Sequence, residues 1–243
     1  MAIAAALAAG LITACNGGRG EAPAMTSPTA TASPTAAASP TVTPSSEQQL
    51  LEQMVLHAED LFTALTQAAA EVSTNEDVAA QEEDPEQELA RLERWGRLLG
   101  YDVTFLPGPD TRPGLPLKGV NSTASLYRTA EGASDSFADD SQKALHADWV
   151  AAYPNLTNVE VRQIERPELA DQVIWIRIAG LQVQAGSSLY IEDFVVLRRD
   201  RVRAFLRATS FFPASTDPDS LLEEIADLAA RQVERIDAAL PES

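Results

Sequence analysis

QVIWIRIAGLQVQAGSSLYIEDFVVLRRDRVRAFLRATS, residues 172–210, decides the fold. It splits into three runs rich in β-branched and aromatic residues, Gln172–Gln184, Ser187–Arg198 and Arg201–Ser210. Ala185-Gly186 joins the first two, and Arg199-Asp200 reads as a tight turn between the next two. In the last run Val202, Ala204, Leu206 and Ala208 share one face. Strict alternation of this kind belongs to an antiparallel sheet with one covered face.

Working outward, Asn158–Glu165, Val120–Arg128 and Tyr101–Phe105 read as further strands. Three helices are expected around them. Glu47–Val72 has Leu50, Met54, Leu61, Leu65 and Ala68 at helical spacing, with Ser45 or Ser46 as cap. A second helix starts at Asp84-Pro85 and runs to Leu99, ending at Gly100; Asp suits the cap, and Pro the first helical position. Ser134–Tyr153 is the third, with Phe137, Ala144, Leu145, Trp149 and Ala152 on its buried side. A closing helix, Pro218–Leu240, takes Asp217 as its cap and carries Leu222, Ile225, Ala229, Val233, Ile236 and Leu240 as an apolar stripe. The expectation is an α+β fold: an antiparallel sheet of five or six strands with helices packed mainly on one face. Residues 47–243 are expected to form one domain.

The order helix, WGRLLGYDVTF (95–105), a helix from about Ser134, hairpins ending EDFVVLRRDRVRAFLRA (192–208) and the closing IADLAARQVERI (225–236) resembles extracytoplasmic PsbP-like lipoprotein domains. The likeness spans Leu89 to Leu240. It implies an assembly, sensing or binding role rather than catalysis, and it carries over no functional residue.

Ahead of the domain stands the lone cysteine of the chain, Cys15, closing Leu11-Ile12-Thr13-Ala14-Cys15. This resembles a bacterial lipobox, in which the Cys thiol is lipidated and the bond before it is cut. The apolar lead from Ala2 to Ile12 is too short for a spanning helix, which needs roughly 20 residues, and has the length of a signal-peptide core. No Lys or Arg precedes Cys15, so an upstream start is expected. Residues 1–14 then read as signal peptide and 15–46 as a lipidated tether. Its Ala, Thr, Ser and Pro offer nothing large to bury, and its prolines favour an extended, stiffened spacer. An ordinary secretory signal with an incidental cysteine is the alternative.

With Cys15 lipidated no thiol remains for a disulfide, a metal or catalysis. His57 and His146 lie in separate expected helices, away from any Gly-x-Ser-x-Gly elbow, which leaves a Ser-His-Asp site without support. Zinc lacks ligands. Asp135, Asp139 and Asp140 look like the start of a helix rather than a calcium loop, and Glu82–Glu86 like a solvated stretch. Phosphate-binding glycine motifs are missing. Trp95, Trp149 and Trp175 occupy periodic apolar positions and read as core.

Charge is the remaining signal. The chain carries 36 acidic residues against 18 Lys and Arg, a net −18. Nucleic acid is therefore no partner. Yet Arg198, Arg199, Arg201, Arg203 and Arg207 crowd one hairpin, and alternation puts Arg201, Arg203 and Arg207 on a common face with Phe205. That face suits an anionic ligand or an acidic partner, or is a solvated surface balanced by neighbours such as Glu192. No cofactor is expected. The functional expectation is a membrane-tethered, extracytoplasmic, non-catalytic binding or sensing module. A cell-envelope assembly protein docking a partner through the arginine face is the alternative. A carboxylate hydrolase comes third, since nothing sets two acids across a cleft.

Overall fold

Side-chain caps set where most helices of this chain begin. The computed structural model describes residues 45–109, 116–182 and 188–240. Ser45 accepts the Gln48 N–H at 3.1 Å and opens α1, Ser46–Met54. Thr74 and Asp77 form a capping box on α2, Asn75–Ala79. Asp84 caps α3, Pro85–Trp95, with Pro85 at its first position as expected. Gly96, at φ 70°, ends that helix in the left-handed conformation glycine tolerates, four residues before the expected stop at Gly100.

Thr129 caps α4, Ala130–His146, and Asp148 caps a separate α5, Trp149–Ala152. One continuous helix was expected over 134–153. The final helix, α6, Leu222–Ala239, starts later than expected. Leu221, at φ 64°, precedes it without a side-chain cap, while Asp217 accepts the Asp219 N–H at 2.9 Å in a turn upstream.

Seven strands form one sheet: β1 Leu65–Ser73, β2 Arg97–Pro107, β3 Leu117–Tyr127, β4 Leu156–Gln163, β5 Gln172–Gln182, β6 Ser188–Arg199 and β7 Val202–Pro213. Their order is β1-β2-β3-β7-β6-β5-β4, antiparallel throughout. The expected three strands over 172–210 are β5, β6 and β7. The junction Ala185-Gly186 lies outside the described residues, as do residues 110–115 of the loop before β3.

The expected five or six strands become seven because β1 falls inside the segment read as a helix. Leu65-Thr-Gln-Ala-Ala-Ala-Glu-Val-Ser73 has alanines where a buried strand would have large residues, and most of it is exposed. It is an edge strand held by its ladder to β2, from Leu65 opposite Pro107 to Ser73 opposite Gly100.

Helices also lie on both faces rather than mainly on one. On the first face α1 and α6 bury Leu51, Met54, Ile225, Ala229 and Ile236 against Val103, Phe105, Trp175, Val195, Val202, Ala204 and Leu206. On the second, Phe137 of α4 and Trp149 of α5 pack with Ile174, Ile176, Ile178, Phe194 and Val196. The burial of β5 and β6 is continuous rather than alternating, the signature of strands covered on both sides.

The first face also holds a buried ion pair. Arg177, fully buried, grips both oxygens of Asp193 at 2.7 and 2.8 Å and reaches the Pro218 carbonyl at 3.0 Å. The Trp175 indole N–H donates to the same carboxylate at 2.7 Å. The turn leading into α6 is thereby pinned to the sheet.

Candidate functional site

The expected arginine face exists, but its members have different fates. In register, Arg203 lies opposite Ser125 and Arg207 opposite Asn121, so both point to the second face, beneath or beside α4 and α5. Arg203 pairs with Asp140 and donates to Ser136 Oγ at 3.2 Å, while Ser136 shares a 2.7 Å bond with the Tyr127 hydroxyl. Burial disfavours its charge, yet Asp140, Tyr127 and Asp102 outweigh that and raise its pKa.

Arg207 pairs with Glu192 and lies 5.4 Å from the Phe194 ring centroid. Glu192 is fully buried and also accepts the hydroxyls of Tyr153 and Tyr190 and, at 3.3 Å, that of Thr209. Burial, followed by the Glu192 charge, pushes both phenols up, so they remain donors. Arg198 and Arg199 share Asp171, and Arg199 also grips Asp237.

Arg201 differs. It sits in the β6–β7 turn, its carbonyl accepts the Tyr127 N–H at 2.9 Å, and no carboxylate among the described residues lies within 4.0 Å of its guanidinium. Tyr127 leads to a group that sequence reasoning missed. Arg97, at the start of β2, is its partner in register. Arg128 follows it, donating its N–H to the Gly96 carbonyl at 2.9 Å. Arg97, Arg128 and Arg201 thus meet at one end of the sheet.

Arg97 is only 4 % exposed, and its partners are neutral: Ser73 Oγ at 2.9 Å, Asn75 Oδ1 at 3.0 Å, the Ser73 carbonyl at 3.2 Å and Ser125 Oγ at 3.4 Å. Burial, with a smaller push from Arg203, holds its pKa down at about 10, even though Tyr127, Asp102 and Asp77 offset part of the drop. Gly100 makes room for it. A Cβ there would stand 2.2 Å from Arg97 Nη2 and 2.4 Å from Ser73 Oγ. A buried guanidinium without a counter-ion is costly, and a strand opening on arginine directly after a helix-ending glycine (Trp95-Gly96-Arg97) is the sequence signal that could have found it.

Beside this end runs a cleft of about 570 Å³, lined by Thr74, Asn75, Glu76, Glu93, Arg97 and Arg128 together with Leu98 and Leu99. Another, of about 580 Å³, lies on α6 near Asp60, Arg231 and Arg235, where Arg235 is already paired with Asp60 and Glu59. Among the described arginines, Arg94, Arg97, Arg128, Arg201 and Arg231 have no carboxylate within 4.0 Å. Three of these five, Arg97, Arg128 and Arg201, stand at the Arg97 end.

His57 bonds the Glu52 carbonyl at 3.0 Å and sits 3.3 Å from Glu59, while His146 is exposed at the end of α4. Asp139 bridges Arg91 at 3.2 Å and Lys143 at 2.8 Å, Asp140 is taken by Arg203, and Asp135 is exposed. Asp84, from the acidic run, caps α3. Trp149 and Trp175 are buried; Trp95 is half-buried under Arg91. No group of three or more His, Cys, Asp or Glu suited to a metal occurs among the described residues. Cys15 lies outside them.

A scan of protein-family models finds no match to this chain. A search of curated proteins finds none either. Among solved structures, the extracellular domain of PknH from Mycobacterium tuberculosis superposes with a TM-score of 0.43 at 11 % identity, over 78 % of this chain and 96 % of that one.

Proposed function

We propose that this chain is a membrane-tethered, extracytoplasmic lipoprotein whose folded part is a non-catalytic binding or sensing module. Its ligand presents an anionic group to the Arg97–Arg128–Arg201 end of the sheet. The lipobox-like run ending at Cys15 and the Pro-rich spacer support the tether, and the PsbP-like order of elements agrees with a binding role.

One observation carries the site. In a chain with 36 acids for 18 basic side chains, three arginines with no carboxylate within 4.0 Å among the described residues gather at one end, and one of them is buried. Elsewhere the arginines mostly find acids. Charge left uncompensated in this way is relieved by an anion from outside.

The assembly-protein reading moves to another surface. The expected docking face, with Arg203 and Arg207, is neutralised internally by Asp140 and Glu192. Leu145 of α4, Val150 of α5 and Val161 of the edge strand β4 are instead exposed, at 46 %, 58 % and 37 %, and exposed apolar groups of this kind suit a protein partner.

Native mass spectrometry of the full chain, purified gently from its host in detergent, tests between the two. A retained small anion that is lost in the Arg128→Gln, Arg201→Gln double variant is expected. A bare mass together with a stoichiometric protein partner overturns the small-ligand reading in favour of assembly.

A further inference from the structure

We infer that the cleft beside Arg97 binds a small zwitterion, an amino carboxylate whose anionic end meets Arg97 and Arg128 and whose ammonium meets Glu93 and Glu76. This rests on reading that end of the sheet as a ligand site and names the class of ligand.

The cleft holds two cations and two anions that do not meet. Arg97 and Arg128 have no carboxylate within 4.0 Å, and neither Glu76 nor Glu93 has a basic group within that distance among the described residues. The polar neighbours on the same wall are already engaged. Asn75 donates to the Arg97 carbonyl at 3.1 Å and accepts from Arg97 at 3.0 Å, and Thr74 is committed to the cap of α2. The unmatched charges are therefore the groups offered to a ligand.

Two geometric facts hold the arginines in place. Arg97 cannot swing outward without losing Ser73, Asn75 and Ser125, and the Arg128 side chain lies against Gly96, whose missing Cβ would stand 3.4 Å from Arg128 Cβ. Leu98 and Leu99, both half-buried, supply an apolar wall. The volume, about 570 Å³, falls within the roughly 300–1,000 Å³ of small-molecule sites.

Long-range electrostatics favour the zwitterion over a plain anion. The chain carries a net −18, which repels an approaching anion, whereas a neutral dipolar molecule meets no such barrier. Within the cleft the four charges sum to zero and match a ligand with both signs.

The test is isothermal titration of the full chain in detergent with glycine, 4-aminobutyrate and 6-aminohexanoate. These vary the distance between the two charges. Hexanoate and hexylamine are the one-ended controls. At least one amino carboxylate is expected to bind roughly tenfold more tightly than either control, with Arg128→Gln and Glu93→Gln each weakening it roughly tenfold, as loss of a charge-assisted bond does. Both residues are exposed, and unchanged thermal melting confirms that the variants stay folded.

Three results overturn the inference: hexanoate binding as tightly as the amino acids, no binding by any of them, or binding that neither variant weakens. In the first case the anion site proposed above survives and only the ammonium contact fails. In the other two, the retained anion in native mass spectra still decides that broader reading separately.

Discussion

Glu192 is enclosed by donors: Arg207, the hydroxyls of Tyr153 and Tyr190, and Thr209. Its carboxylate collects groups from β6, β7 and the end of α5, so one side chain fixes how the second helical layer sits on the sheet. Replacing it by Gln keeps the shape and removes the buried negative charge that Arg207 pairs with. Glu192→Gln is expected to lower unfolding stability by about 3 kcal/mol, the range of a broken buried pair, as measured by urea denaturation. A loss under about 1 kcal/mol, typical of exposed pairs, would show the pair to be solvated. At this scale YIEDFVV (190–196) held a legible hint, two acids inside an apolar strand, but which basic group meets each acid is not a local property. Asp193 points to the opposite face and takes Arg177.

Asp171 acts between elements. Standing just before β5, it accepts the Asp200 N–H at 2.8 Å, Arg198 at 3.1 Å and Arg199 at 3.0 Å, and so ties the β6–β7 turn to the neighbouring strand. Asp200 occupies that turn at φ 50°, in the left-handed region that aspartate visits more readily than most residues other than glycine, and the carboxylate helps to hold it there. Burial alone would raise the Asp171 pKa, but the Asp200 N–H and the two guanidinium groups outweigh it and leave it below the ordinary 3.8. A carboxylate whose pKa is lower in the folded state contributes stability above its unfolded value and loses that contribution as pH falls through the folded one. Asp171→Asn is therefore expected to cost roughly 1 kcal/mol near neutral pH. The gap in melting temperature between the two proteins should stay constant down to about pH 5 and close below 3.8. A gap that does not change with pH would assign the effect to shape rather than charge.

On the scale of the whole molecule, charge is sorted. A chain of net −18 neutralises most arginines by internal pairs and leaves a group of them at one end of the sheet, around Arg97. No described helix is long and apolar enough to cross a membrane. In the proposed reading the chain is attached through Cys15. Acyl chains contribute about 0.8 kcal/mol per buried methylene. Cys15→Ser is expected to move the protein from the membrane to the soluble fraction on cell fractionation; a variant that stays with the membrane would show the anchor to be elsewhere.

What residues 172–210 determined by themselves was the antiparallel run β5–β6–β7, because alternation and the Arg199-Asp200 turn are local. The start of α3 was equally legible, since Asp84 and Pro85 act on backbone groups a few residues away. The tether is a reading of sequence alone. Only the tertiary structure decided the seventh strand, β1, whose Leu65 and Ala68 fit a helical spacing and whose order comes from hydrogen bonds to β2. It also decided that helices cover both faces, because the path of the chain between β3 and β4 carries α4 and α5 to the side opposite α1 and α6. The fate of the arginine face followed from that covering. Alternation placed Arg203 and Arg207 on one side, but Asp140 and Glu192 reach them only across elements. The unneutralised group around Arg97 comes together from the ends of three strands whose meeting no local pattern records.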